Sequence, residues 1–151
     1  MKIYIAADHA GFYLKKQLIQ YLEIKGYEVE DCGAFDMDEA DDYPDFIIPC
    51  ALKVVGDKES LGIVLGGSGN GEAIAANKVK GIRAALYNGG RPEIARLARE
   101  HNNANILSLG ARFITPDDAK RAITAWLEAK FDGGRHEARL KKIEEFENEK
   151  N

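Results

Sequence analysis

Short apolar runs alternate with longer segments of helical spacing along the whole chain. Residues 2–7 form an apolar strand, and Leu14, Leu18, Ile19 and Leu22 then mark one face of a helix over 12–25, closed by Gly26. In residues 27–32, Tyr27, Val29 and Asp31 alternate with Glu28 and Glu30, a weak apolar face that predicts an edge strand. Pro44 opens a helix to 55, and the unbroken apolar run 61–65 predicts a central strand followed by a helix over 70–79. A strand at 82–86, a helix at 92–100 and a strand at 105–109 continue the alternation. Thr115 caps a helix that starts with Pro116 and runs to 130. The pattern predicts a three-layer, doubly wound α/β fold with a five-stranded parallel sheet and one extra C-terminal helix. That helix, 135–150, follows Gly133-Gly134 and carries only a thin stripe of Leu140, Ile143 and Phe146. So narrow a face predicts packing on a partner subunit.

Composition narrows the setting. The 151 residues fit a single domain spanning 1–151, with 45% hydrophobic and 30% charged residues. A net charge of −4 argues against broad nucleic-acid or membrane-surface binding. No apolar run reaches the roughly 20 residues of a membrane span, and the N-terminal residues read as a strand, not a signal peptide. The cytoplasm is the expected location. Cys32 and Cys50 lie in apolar surroundings and read as buried free thiols.

The candidate chemistry centres on Gly66-Gly67-Ser68-Gly69-Asn70-Gly71-Glu72, between the central strand and its helix. The backbone N–H groups of such a turn, Gly67, Gly69, Asn70 and Gly71 among them, can hold an anion, and Glu72 offers a general base beside them. The spacing matches neither the dinucleotide fingerprint nor the phosphate loop of nucleotide hydrolases. Ligands of doubly wound sheets bind at the carboxyl ends of strands. If strands 1 and 3 are neighbours, Asp8-His9 therefore meets the glycine turn in one crevice. The three histidines, His9, His101 and His136, all sit at element boundaries next to other polar groups. Arg135 and Arg139 share a helix face and suit a phosphate dianion, with Arg112 as a third candidate. The acidic run 36–42 reads as a solvated loop without a metal-binding pattern.

Taken together, these residues resemble the type B ribose-5-phosphate isomerase family, which includes galactose-6-phosphate isomerase subunits. The resemblance rests on Ala7-Asp8-His9-Ala10-Gly11, Asp42-Tyr43-Pro44, the turn from Gly66 to Asn77, Arg99-Glu100-His101-Asn102, Gly110-Ala111-Arg112, and Arg135-His136 with Arg139. It implies aldose–ketose isomerisation of ribose 5-phosphate through a cis-enediolate, without metal or organic cofactor. One branch of the family carries a catalytic cysteine at the position of Gly66; this chain resembles the other, in which the base is Glu72. The resemblance gives Ser68 and the turn amides the oxyanion, His101 the ring opening and Asn102 the sugar hydroxyls. Asp8 and Tyr43 would line the sugar, and His9, Arg112, Arg135, His136 and Arg139 would surround the phosphate. It also implies a homodimer or dimer of dimers with the site between subunits. Alternatives are a hexose-6-phosphate isomerase, a non-catalytic phosphosugar-binding domain and a flavodoxin-like binder. One tension is physical: a helix N-terminus stabilises the charged form of Glu72 and so weakens it as a base.

Overall fold

The computed structural model describes residues 1–149; Lys150, the last residue of the predicted tail helix, lies outside the described residues. The strands are β1 (Lys2–Ala7), β2 (Glu28–Asp31), β3 (Leu61–Gly66), β4 (Ala84–Tyr87) and β5 (Ile106–Gly110). The helices are α1 (Phe12–Ile24), α2 (Pro44–Gly56), α3 (Asn70–Asn77), α4 (Glu93–Asn102), α5 (Pro116–Glu128) and α6 (Arg135–Glu149). All strand pairs are parallel, in the order β2-β1-β3-β5-β4. Strands β1 and β3 are neighbours, with Ala7 opposite Leu65, and Gly66 lies opposite Gly110 of β5. Three strands therefore end at one level and form a platform.

Side-chain alternation along the strands feeds two cores. Ile3, Ile5, Ile63, Leu65, Leu107 and Leu109 pack with Leu18 and Leu22 of α1, Ala95 of α4 and Trp126 of α5. On the other face Tyr4, Ala6 and Val64 pack with Ile47, Cys50 and Val54 of α2 and Ala75 and Ala76 of α3. Cys50 is buried and Cys32 half-buried, both as free thiols. Lys15 of α1 is fully buried, although its neighbours predict only an apolar face there. Its ammonium donates to Asp31 Oδ1 at 2.7 Å and to the Ala34 carbonyl at 2.5 Å, tying down the segment that leaves β2.

Several boundaries move for local reasons. Helix α4 runs two residues past its predicted end, because the reversal waits for Asn103 in the left-handed region at φ 46°. His101 and Asn102 are thus helical. Strand β4 starts at Ala84, since the Ile82 N–H still bonds the Val79 carbonyl at 3.0 Å. Helix α5 opens with a complete capping box, in which Asp118 N–H donates to Thr115 Oγ1 and Thr115 N–H to Asp118 Oδ2. It closes at Glu128, where Ala129 turns extended. Helix α6 has no buried residue, and Ile143 is 58% exposed. The Gly81 N–H ties it to the sheet layer by donating to Glu147 Oε2 at 3.2 Å. No helix among the described residues is long and apolar enough to cross a membrane.

Trp126 is the largest fully buried side chain and joins α5 to the sheet. Trp126→Ala should cost about 3–5 kcal/mol of stability. Urea unfolding should show this as a lower midpoint at unchanged slope.

Candidate active site

Helices α1 and α5, which follow β1 and β5, cover one sheet face, whereas α3 after β3 covers the other. The chain therefore parts on both sides of the end of β3. This is the topological switch point where doubly wound sheets bind ligands. Gly69, at φ 84°, makes the turn from β3 into α3, and Ser108 of β5 steadies it by donating to the Gly69 carbonyl at 2.7 Å.

Glu72 sits in the first turn of α3 and folds back over Gly66. A β-carbon placed on Gly66 would fall inside the Glu72 carboxylate. The glycine is thus a space requirement: a side chain at position 66 and the carboxylate of Glu72 compete for one volume. Glu72 is only 3% exposed, and burial pushes its carboxyl above the usual carboxylate range. The backbone amides of Glu72 and Gly69 pull the other way, and the Asp8 charge adds to the rise. Burial outweighs the helix N-terminus, which resolves the tension seen in the sequence. Glu72 is a carboxylate primed to take up a proton.

Other predicted residues converge here. Asp8 follows β1, is buried, and accepts from the Ala10 and Gly11 N–H groups at 2.9 and 3.4 Å, capping the short turn His9–Gly11. The phenol end of Tyr43 lies against Gly71, where an added β-carbon would meet its Cζ at 2.6 Å. Arg112 Nη1 would be 3.0 Å from a β-carbon on Gly67, and its own N–H donates to the Gly67 carbonyl. The glycines let an aromatic ring and a guanidinium approach the turn closely. Ser68 Oγ accepts from the Asn70 N–H at 3.1 Å, so Asn70's amide is engaged and the Ser68 hydroxyl proton remains to donate. The set of turn amides open to an anion is therefore smaller than the full run.

Two residues of this site escape sequence reasoning. Asn88, beyond β4, donates to the Ser68 carbonyl at 3.1 Å and braces the turn; a loop asparagine gives no sequence signal for that. Asp41 is the exception within 36–42, whose other residues are exposed as expected: its side chain is only 8% exposed and bonds His9 Nδ1 at 2.6 Å. The cue available in sequence was its closeness to Asp42-Tyr43.

The remaining predicted residues gather elsewhere. Helix α4 runs back to the opposite end of the sheet, where the Gly62 N–H, at the start of β3, bonds the Asn105 carbonyl. His101 and Asn102 stand at this end, and the Asp132 N–H ties the start of the tail to the Glu100 carbonyl at 2.9 Å. His136 stacks on His101 with ring centroids 4.3 Å apart. Desolvation pushes the His136 pKa down, aided by His101, Arg135 and Arg139. Gly62 and Gly66 are separated by roughly 13 Å of strand. Within one chain, then, His101, Asn102, Arg135, His136 and Arg139 do not meet Glu72.

Two groups bring donor atoms within 4.8 Å of one another: Asp8, His9 and Asp41, and His101, Asp132 and His136. In the first, His9 Nδ1 and Asp8 Oδ1 already make hydrogen bonds inside the protein. In the second, Arg135 and Arg139 oppose a cation and favour an anion. Gly66→Ala should expel the Glu72 carboxylate towards water and lower its pKa towards the ordinary glutamate value. A carbon-detected NMR titration of the glutamate carboxyls would read the shift.

The whole chain can be placed by comparison. Residues 3–143 match the Ribose/Galactose Isomerase family. A ribose-5-phosphate isomerase B of Mycolicibacterium paratuberculosis is 49% identical over 148 residues, which is 97% of this chain and 92% of that protein. A solved ribose-5-phosphate isomerase B of Clostridium thermocellum superposes with a TM-score of 0.95 at 46% identity, covering 100% of both chains. One from Mycoplasma genitalium, solved with bound ribulose-5-phosphate, gives 0.94 at 44% identity, covering 98% of this chain and 97% of that one. With the sheet order, the switch-point site and these matches in agreement, the chain belongs to the ribose/galactose isomerase family.

Proposed function

We propose that the protein interconverts ribose 5-phosphate and ribulose 5-phosphate by proton transfer through a cis-enediolate. The observation that carries this reading is the buried Glu72 carboxylate, lifted in pKa and seated over Gly66 beside a turn of backbone amides. The relative solved with ribulose-5-phosphate supports this substrate over a hexose phosphate. A silent binding domain would have no use for a buried, proton-seeking carboxylate beside the anion cradle.

Glu72 takes the proton from C2 of the open-chain aldose and returns it to C1. The Ser68 hydroxyl and the amides of Gly67 and Gly71 stabilise the oxygen that gains charge. Tyr43 and Asp8 line the sugar, and Arg112 and His9 hold the phosphate from this chain. The chemistry needs no metal or organic cofactor in this scheme. Two free thiols fit a reducing cytoplasm.

The remaining groups come from a second copy. His101 and Asn102 open the ring and hold hydroxyls, and Arg135, His136 and Arg139 close on the phosphate. The separation of the two sets at opposite sheet ends supports an isologous dimer, in which each end faces the other's counterpart and two sites form at once. The exposed stripe of α6 supports the same arrangement, as does the absence of buried residues on that helix.

Glu72→Gln should lower kcat for ribose 5-phosphate by about 10²–10⁴-fold with KM little changed; near-normal turnover would sink the assignment. Because only the ionised carboxylate is a base, wild-type kcat should fall on acidification through a pKa above the usual carboxylate range. The same rise makes the charge on Glu72 destabilising above its unfolded pKa, so Glu72→Gln should gain stability over wild type as pH rises from 4 towards 7. Mixing inactive Glu72→Gln and His101→Ala chains should restore about a quarter of wild-type activity through heterodimers with one intact site. No recovery after refolding together would exclude the shared site.

A further inference from the structure

Asp41 has no role in the scheme above, yet the fold holds it in place and buries it. Its loop is set by Asp38, whose Oδ1 accepts from the Ala40 N–H at 3.0 Å and whose carbonyl accepts from the Asp41 N–H at 3.0 Å. Asp41 Oδ1 then accepts twice from one residue: from the His9 main-chain N–H at 3.1 Å and from the ring Nδ1 at 2.6 Å. Its second oxygen, Oδ2, is buried with no hydrogen-bond partner among the described residues. A buried carboxylate with one oxygen unsatisfied is costly. Structural need does not explain it, because an asparagine could bridge the same two donors without the charge.

We propose that Asp41 is a positioning residue for phosphate recognition, clamping the His9 ring through Nδ1 so that Nε2–H is presented to the substrate phosphate beside Arg112. This rests on the isomerase reading for the identity of the ligand. With Nδ1 donating to Asp41, Nε2 is the one ring nitrogen left for substrate. The groups that face His9 agree with a cationic ring: Asp41, through its hydrogen bond, and Asp8 raise its pKa, against Arg112 and partial burial. The dyad thus adds a second cation to the phosphate site without adding another arginine. It lets the charge be supplied by a residue whose orientation is fixed from behind.

The test compares wild type with Asp41→Asn, which keeps an acceptor but removes the charge, and with His9→Asn alone and combined with it. Inorganic phosphate binding by calorimetry and steady-state kinetics with ribose 5-phosphate are followed between about pH 6 and 9. Asp41→Asn should weaken phosphate binding and raise KM in parallel, by about tenfold near pH 8, with kcat within about twofold. The gap should narrow towards pH 6, where an imidazole protonates unaided. Combined with His9→Asn, it should add nothing. Unchanged phosphate affinity, a pH-independent loss, or a full loss persisting in the His9→Asn background would overturn the proposal. Nitrogen-15 NMR of the wild-type ring gives a variant-free reading: an Nδ1 without its proton at pH 7 would overturn it too. A wild type that binds phosphate but fails to isomerise ribose 5-phosphate would sink the reading of function and leave this test valid.

Discussion

The site depends on a single exclusion of volume. The carboxylate of Glu72 fills the space in which a side chain at position 66 would stand. A helix N-terminus alone would hold that carboxylate charged and weakly basic. Enclosure against β3 reverses the balance, because desolvation is the largest influence on the group. The fold accepts the cost of a buried charge in exchange for a carboxylate of raised proton affinity. By this geometry a side chain at position 66 and the carboxylate of Glu72 cannot share the pocket.

Around that carboxylate the glycines act by absence. Gly67 admits the Arg112 guanidinium, Gly71 admits the Tyr43 ring, and Gly69 supplies the left-handed turn into α3. Each element that ends at the platform contributes one group: Asp8 from β1, the turn from β3 and Arg112 from β5. The level ends of the three strands set the relative heights of these groups, so precision comes from the sheet and not from the loops. Lys15 extends this rigidity outward by fixing the departure from β2 towards the loop that carries Asp41.

The opposite end of the sheet holds a second, cationic constellation. His101 and His136 stack there, with Arg135 and Arg139 nearby and with Asp132 and Glu100 joined through the backbone. Like charges gathered at a surface repel, and an anion relieves that repulsion. A phosphate held between this end of one subunit and Arg112 of another would satisfy both halves. Assembly would then be part of the chemistry.

The alternation of strands and helices, the five-stranded parallel sheet and the glycine turn with its glutamate were legible in the sequence. Each rests on local periodicity or local turn chemistry, which a chain carries in its own order. The family resemblance was legible too, since its motifs are contiguous. Tertiary structure alone decided what lies far apart in sequence. It placed His101 at the end of α4, because the helix continued until Asn103 could adopt a left-handed conformation. It buried Lys15 and Asp41, whose charges give no hint of enclosure until the β2–α2 segment folds over α1 and His9. It split the predicted site residues between the two ends of the sheet. Sequence fixes which groups a turn or a helix end can offer; the surroundings that bury, orient or separate those groups come from distant segments, and only packing brings them together.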